Sequence, residues 1–149
     1  MTHREGGGFD TRVRASFARQ QVMHTLGVTI ARVAPGEVEF TMPYAEGLTQ
    51  QHGFLHAGIV ATVLDSACGY AAFTLMAPEA AVMTIEFKAN FLASAKGESF
   101  RFVGRCVKAG RTITVCDAQA FGRSGADEKL IATMTATIMA VTGRAGIEQ

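Results

Sequence analysis

A single segment decides most of what this chain can become. Ala57 to Ala77 is almost wholly apolar over some twenty residues, yet it carries one acid, Asp65, near its middle. An ionised carboxylate is costly at the centre of a bilayer. Thr62 and Ser66 flank it, and many of the remaining residues are Ala or Gly. The segment therefore reads as a buried helix, running to about Met76 and closed by Ala77-Pro78. On a 3.6-residue wheel Ile59, Val63, Tyr70 and Phe73 share one broad face. Gly58, Ala61, Thr62, Asp65, Gly69 and Ala72 share another, made of small residues around the acid. A helix apolar on nearly all sides has to be covered nearly all round.

The rest of the chain supplies the cover. Thr11 to His24 has the rough period of a short amphipathic helix, ended by Gly27. Val28 to Ala34 and Glu37 to Met42 read as two strands joined at Pro35-Gly36, and the polar stretch from Tyr44 to His56 reads as a loop. After the long helix, Val82 to Leu92 alternates as a half-buried strand does, with Met83, Ile85, Phe87, Ala89 and Phe91 against Thr84, Glu86, Lys88 and Asn90. Three more strands follow: Glu98 to Lys108, Thr112 to Phe121 and a last one through Leu130 to Ile138. Their short turns imply antiparallel pairing. The order of helix, two strands, long helix and four strands is not an alternating βαβ series, so a doubly wound parallel sheet is excluded. A curved antiparallel sheet wrapped around one central helix satisfies the pattern, with a second copy covering what remains. One domain spans 1–149, with tails expected at 1–10 and 142–149.

Composition narrows the function. Charged residues make up 18% of the chain, the net charge is +1 and the positive residues are scattered. That argues against a nucleic-acid partner, and the charge fraction, below the ~25% usual for soluble domains, favours a homo-oligomer. Cys68, Cys106 and Cys116 form no CxxC pair and no even framework, which points to a reducing, cytoplasmic setting. The N-terminal residues have no apolar core of a secretory signal. His52 and His56 have metal-like spacing, but no Cys or carboxylate cluster completes a ligand set, so neither a metal nor another cofactor is expected.

Asp65 is what composition does not explain, because a buried carboxylate is expensive unless it is bonded or neutralised. Three neighbours in sequence give it chemical company. The His-rich loop Gln50-Gln51-His52-Gly53-Phe54-Leu55-His56 leads straight into the helix. The helix opens with Ala57-Gly58, whose small side chains leave backbone N–H groups approachable by a developing negative oxygen. Thr84 sits on a polar strand face, available to position water. Gly58 and Asp65 are seven residues apart, about 10 Å along a helix. One carbonyl cannot touch both in a single chain, so a site using both draws on two antiparallel helices across a two-fold axis.

The segment HGFLHAGIVATVLDSACGYAA resembles the H-G-G-x-x-x-x-x-x-D signature of the PaaI-like hotdog thioesterases, and the likeness extends through VMTIEFKANFLASAKGE and KAGRTITV to the last strand. The resemblance implies an α+β hotdog fold, with the sheet wrapped around the central helix, and an acyl-CoA thioesterase acting as a homodimer or homotetramer. It implies that Asp65 is general base or nucleophile, and that Ala57 and Gly58 stand at the motif's two glycines, with the N–H of position 57 polarising the thioester carbonyl. His56 matches the motif histidine that orders the helix start. Gln50 falls where relatives often carry Asn, and Thr84 where they carry a water-placing hydroxyl. Lys88, Asn90 and Arg111 are implied to hold the CoA phosphates or pantetheine. Two departures stand out: Ala57 replaces a glycine but keeps its N–H, and Gln50 is one methylene longer than Asn. Rival readings are a hotdog hydratase or dehydratase and a non-catalytic acyl-CoA sensor. No proline lies between Pro43 and Pro78 to make the dehydratase loop, and too few basic residues precede Gly27 for a DNA-binding module.

Overall fold

In the computed structural model, which describes residues 8–149, the apolar segment is the helix that the sheet encloses. Two helices open the chain, α1 (Gly8–Arg19) and α2 (Gln21–Leu26), followed by β1 (Thr29–Ala34) and β2 (Glu37–Pro43). The central helix α3 spans Ala57–Phe73, and β3 (Ala81–Phe91), β4 (Ser99–Lys108), β5 (Ile113–Ser124) and β6 (Asp127–Val141) complete the sheet. All pairings are antiparallel, in the order β1-β2-β4-β5-β6-β3. This is the expected hotdog architecture. Val60, Val63, Leu64, Ala67 and Cys68 of α3 pack with Val38, Phe40, Phe100, Phe102, Cys116, Met134 and Ile138 of the sheet in one core. Helix and sheet backbones come close at Gly104, where an added Cβ would sit 2.3 Å from the Ala67 carbonyl oxygen. Among the described residues no helix is long and apolar enough to cross a membrane.

Three expectations need correction. The N-terminal helix is two helices, because Gln20 takes an extended conformation (φ −81°, ψ 94°) between them. Its side-chain oxygen accepts a hydrogen bond from Ser66 of α3 at 3.0 Å, and the break aims it there. The central helix ends at Phe73 rather than Met76: Leu75 and Met76 donate three residues back, to Ala72 and Phe73, and so tighten out of the α-helical pattern.

The alternation of β3 is also not one alternation. Its register against β6 slips between Thr84 and Glu86, leaving Ile85 as an extra residue. Before the slip, Thr84 lies opposite the buried Ile138 and faces α3. After it, Phe87, Ala89 and Phe91 lie opposite Ala136, Met134 and Ala132 on that same inner side. Glu86, Lys88 and Asn90 are on the outer side, where Thr137 donates to Glu86. β3 is a sheet edge, and Met83, Ile85, Phe87 and Phe91 remain 45–52% exposed on it.

Residues 1–7 of the expected N-terminal tail lie outside the described residues, and Gly8 opens α1. Beyond β6 the chain runs back toward α3, and the Gln149 side chain accepts from the Val82 N–H at the free edge of β3, 2.9 Å away.

Candidate active site

Asp65 is half-buried on the face of α3 turned toward β3, where the Thr84 hydroxyl donates to its Oδ1 at 2.7 Å. Removal from water pushes the Asp65 carboxyl above the ordinary carboxylate range, and the Thr84 hydrogen bond opposes that rise. The carboxylate looks onto a cavity of about 340 Å³ that Gln20, Ser66, Tyr70, Thr84 and Gln149 also line. An acid that one hydroxyl aligns and that lines an open cavity is equipped, in its ionised form, to take a proton from water or to attack a carbonyl.

The helix start is the second half of the site. His56 is the N-cap of α3, and its Nδ1 accepts from Gly58 N–H at 2.9 Å. A Cβ at Gly58 would approach that nitrogen to 3.1 Å, so the missing side chain makes room for the imidazole. The Ile59 and Val60 N–H groups donate to the His56 carbonyl. Among the described residues no acceptor engages the Ala57 N–H. The amide available to a ligand at this helix start is therefore that of Ala57, while Gly58 spends its own on the cap. The family resemblance singles out position 57, which the residues by themselves do not separate from Gly58.

The loop before the helix is held by its own backbone. Thr49 bridges Leu55, His56 N–H donates to Leu48, and Leu55 N–H to Ala95. Gln50 Oε1 accepts from the His52 N–H, and Gln50 lines a cavity of about 210 Å³ with Ala57, Val60 and Phe91.

The structure thus places the expected residues in two groups along the inner side of β3. Gln50, His56, Ala57 and Gly58 stand at the start of α3; Asp65 and Thr84 stand two turns on. Ala57 and Asp65 are eight residues apart, about 12 Å along the axis. Lys88 and Asn90 lie on the outer side of β3, Asn90 donating to Thr133 Oγ1 at 3.4 Å. Arg111 is in the turn before β5, beside Thr112, whose carbonyl accepts from Ala140 opposite Val82. Asn90 is eight residues further along β3, roughly 25 Å away, so a single chain does not bring Arg111 to it. Gln20, like Gln149, is a lining residue that sequence reading missed. It sits in an ordinary helical period, and nothing local marks it.

The Thr84 contact gives a pH prediction. A reaction that ran through the Asp65 carboxylate would weaken as pH falls through its pKa, so kcat/KM is expected to show an acid limb above the ordinary carboxylate range. Thr84→Val removes the donor that favours the charged form, which raises the pKa further. The limb is expected to move to higher pH, and a pH profile of kcat/KM for the two proteins checks it.

Comparisons with known proteins agree with this architecture. The profile of the thioesterase superfamily matches residues 52–128, more than half of the chain and a span that holds His56, Ala57, Asp65 and Thr84. A thioesterase family protein of Silicibacter pomeroyi, solved by crystallography, is 61% identical and superposes with a TM-score of 0.90 over 91% of this chain and 99% of its own. A protein of Halobacterium salinarum named as an esterase is 32% identical over 74% of this chain and 79% of its own. The 1,4-dihydroxy-2-naphthoyl-CoA hydrolase of Listeria monocytogenes is 24% identical over 78% of this chain and 93% of its own. With a PaaI-like motif on a hotdog fold and these relatives, the chain belongs to the thioesterase superfamily and is a thioester hydrolase.

Proposed function

We propose that the protein hydrolyses acyl-CoA thioesters to free acid and CoA at sites shared between two copies of the chain. The observation that carries this reading is the separation of two groups on one helix: the Asp65 carboxylate, held by the Thr84 hydroxyl, and, about 12 Å away, the unpaired Ala57 N–H. Each is half of an acyl-transfer site. A dimer in which two α3 helices run antiparallel puts the Asp65 of one copy beside the Ala57 of the other. The free edge of β3 and its exposed Met83, Ile85, Phe87 and Phe91 give such a dimer a strand to pair and an apolar surface to bury.

In this arrangement the thioester carbonyl oxygen lies against the partner's Ala57 N–H, and the Gln50 amide stands next to it. Asp65, aligned by Thr84, activates water or attacks the carbonyl carbon directly. Negative charge that develops on the oxygen is met by a fixed N–H at the positive end of the helix dipole. Collapse of the tetrahedral species expels the CoA thiolate. The name of the Listeria relative supports CoA as the carrier, and Lys88, Asn90 and Arg111 supply donors for its polar portion.

The deciding experiment is thiol release over a panel of acyl-CoA substrates, aromatic and aliphatic, followed with a thiol-reactive dye. Thiol is expected to appear at least 10²-fold faster than without enzyme for one acyl class or more. A panel that stays at the uncatalysed rate throughout rejects the reading.

A further inference from the structure

The three thiols take no part in the proposed hydrolysis, yet two of them stand side by side. Cys106 on β4 lies directly opposite Cys116 on β5, with the two sulfurs 3.5 Å apart and both cysteines free. The Cys106 N–H donates to the Gly36 carbonyl at 2.8 Å, in the turn between β1 and β2. Its backbone polar groups thus point away from β5, which makes Cys106 and Cys116 a non-hydrogen-bonded pair. Cα atoms of such pairs are about 4.5 Å apart, with side chains closer than at the alternate positions. That separation falls within the roughly 4.4–6.8 Å that a disulfide spans.

The two sulfurs differ in access. Cys116 is wholly buried in the core against α3, whereas Cys106 is only partly buried. Gly36, the neighbour of Cys106, donates its N–H to Thr74 at the end of α3, so the pair sits at the C-terminal end of the helix. The hydrogen bond between the two sulfurs lowers the Cys106 pKa, while that bond and burial raise that of Cys116. Cys68, buried three residues beyond Asp65, is pushed up by burial and by the neighbouring carboxylate.

We propose that Cys106 and Cys116 are an oxidative modification site, in which a hydroperoxide converts the dithiol into an intrachain disulfide that ties β4 to β5. The Cys106 thiolate attacks the distal peroxide oxygen: an S–O bond forms, the O–O bond breaks and hydroxide (or alkoxide) leaves. The Cys116 sulfur then attacks the sulfenic sulfur: the S–S bond forms, the S–O bond breaks, and the departing oxygen with the thiol proton leaves as water. Two thiols are oxidised by one peroxide, and a dithiol reductant reverses the change.

The test uses reduced protein, hydrogen peroxide and a maleimide added under denaturing conditions. Before oxidation all three cysteines take the label; after it, one label is expected, and dithiothreitol restores three. Trypsin cuts after Arg105, Lys108, Arg111 and Arg123, so the disulfide is expected to join peptide 106–108 to peptide 112–123 with the loss of two hydrogens. Cys68→Ser leaves the link intact. Cys116→Ser, or Cys116→Ala if the serine variant does not fold, leaves a sulfenic acid at Cys106 that dimedone traps. Three labels after peroxide, a link from 106–108 to the Cys68 peptide or to a second chain, or oxygen added to the wild type without a link each overturn the proposal. The wild-type peptide map decides it even if no variant folds.

Discussion

Asp65→Asn is expected to lower turnover by on the order of 10²–10⁴ while the protein stays folded. Asn keeps the volume and can still accept from the Thr84 hydroxyl, so the local packing is preserved. It cannot take a proton from water or form an acyl intermediate. Stability separates this outcome from a merely structural role. Burial disfavours the charged carboxylate, as its raised pKa records, so a neutral amide relieves a cost at neutral pH. The melting temperature should therefore hold or rise while activity collapses. A structural acid predicts the reverse, a lower melting temperature with activity per folded molecule retained. Thiol release and a thermal melt on the same preparation distinguish the two, and unchanged hydrolysis rejects a catalytic Asp65.

The second large effect is expected from Ala57→Pro. Ala57 is the first residue of α3, the position at which proline is best tolerated, since the N–H lost there has no partner within the helix. His56 before it has φ −61° and ψ 137°, the extended conformation that a residue preceding proline favours. The substitution deletes the proposed oxyanion donor and leaves the Gly58–His56 cap in place. Removal of one such donor costs about 10²–10³ in kcat. Each variant alone is then nearly inactive. If every site takes its acid from one copy and its helix start from the other, a heterodimer of Asp65→Asn and Ala57→Pro has one site with both lesions and one with none. Unfolding and refolding the two together makes about half of the dimers mixed, so roughly a quarter of wild-type activity should return. Heterodimers that form, yet stay as inactive as the separate variants, place acid and helix start in one chain.

How far the sequence foretold this molecule depends on whether the governing signal is local. The central helix was legible because seventeen consecutive residues compatible with burial admit little else, and Asp65 stood out against them. The sheet was legible through its alternation and its turns. The break at Gln20 was not, since it is set by a contact with Ser66 forty-six residues away rather than by glycine or proline. Without the family resemblance, which named position 57, the amides of Ala57 and Gly58 were not separable either: which one stays open depends on the rotamer of His56. Arg111 was grouped with Lys88 and Asn90 by resemblance, and only the register of β3, β5 and β6 reveals the distance between them.

The extra residue at Ile85 works as a phase shift in the strand. Ahead of it β3 is tuned to Asp65, offering Thr84; behind it the same inner side offers Phe87 and Phe91, which in sequence belong to the opposite parity. If β3 paired straight through Ile85 without the slip, everything downstream would be inverted. Glu86, Lys88 and Asn90 would turn toward α3, while the two aromatic rings would turn outward. A strand that kept the regular register its hydropathy pattern suggests would then lose either the hydroxyl on its acid or the apolar edge by which two copies are proposed to meet. The irregularity is what lets eleven residues serve both the proposed chemistry and the proposed assembly.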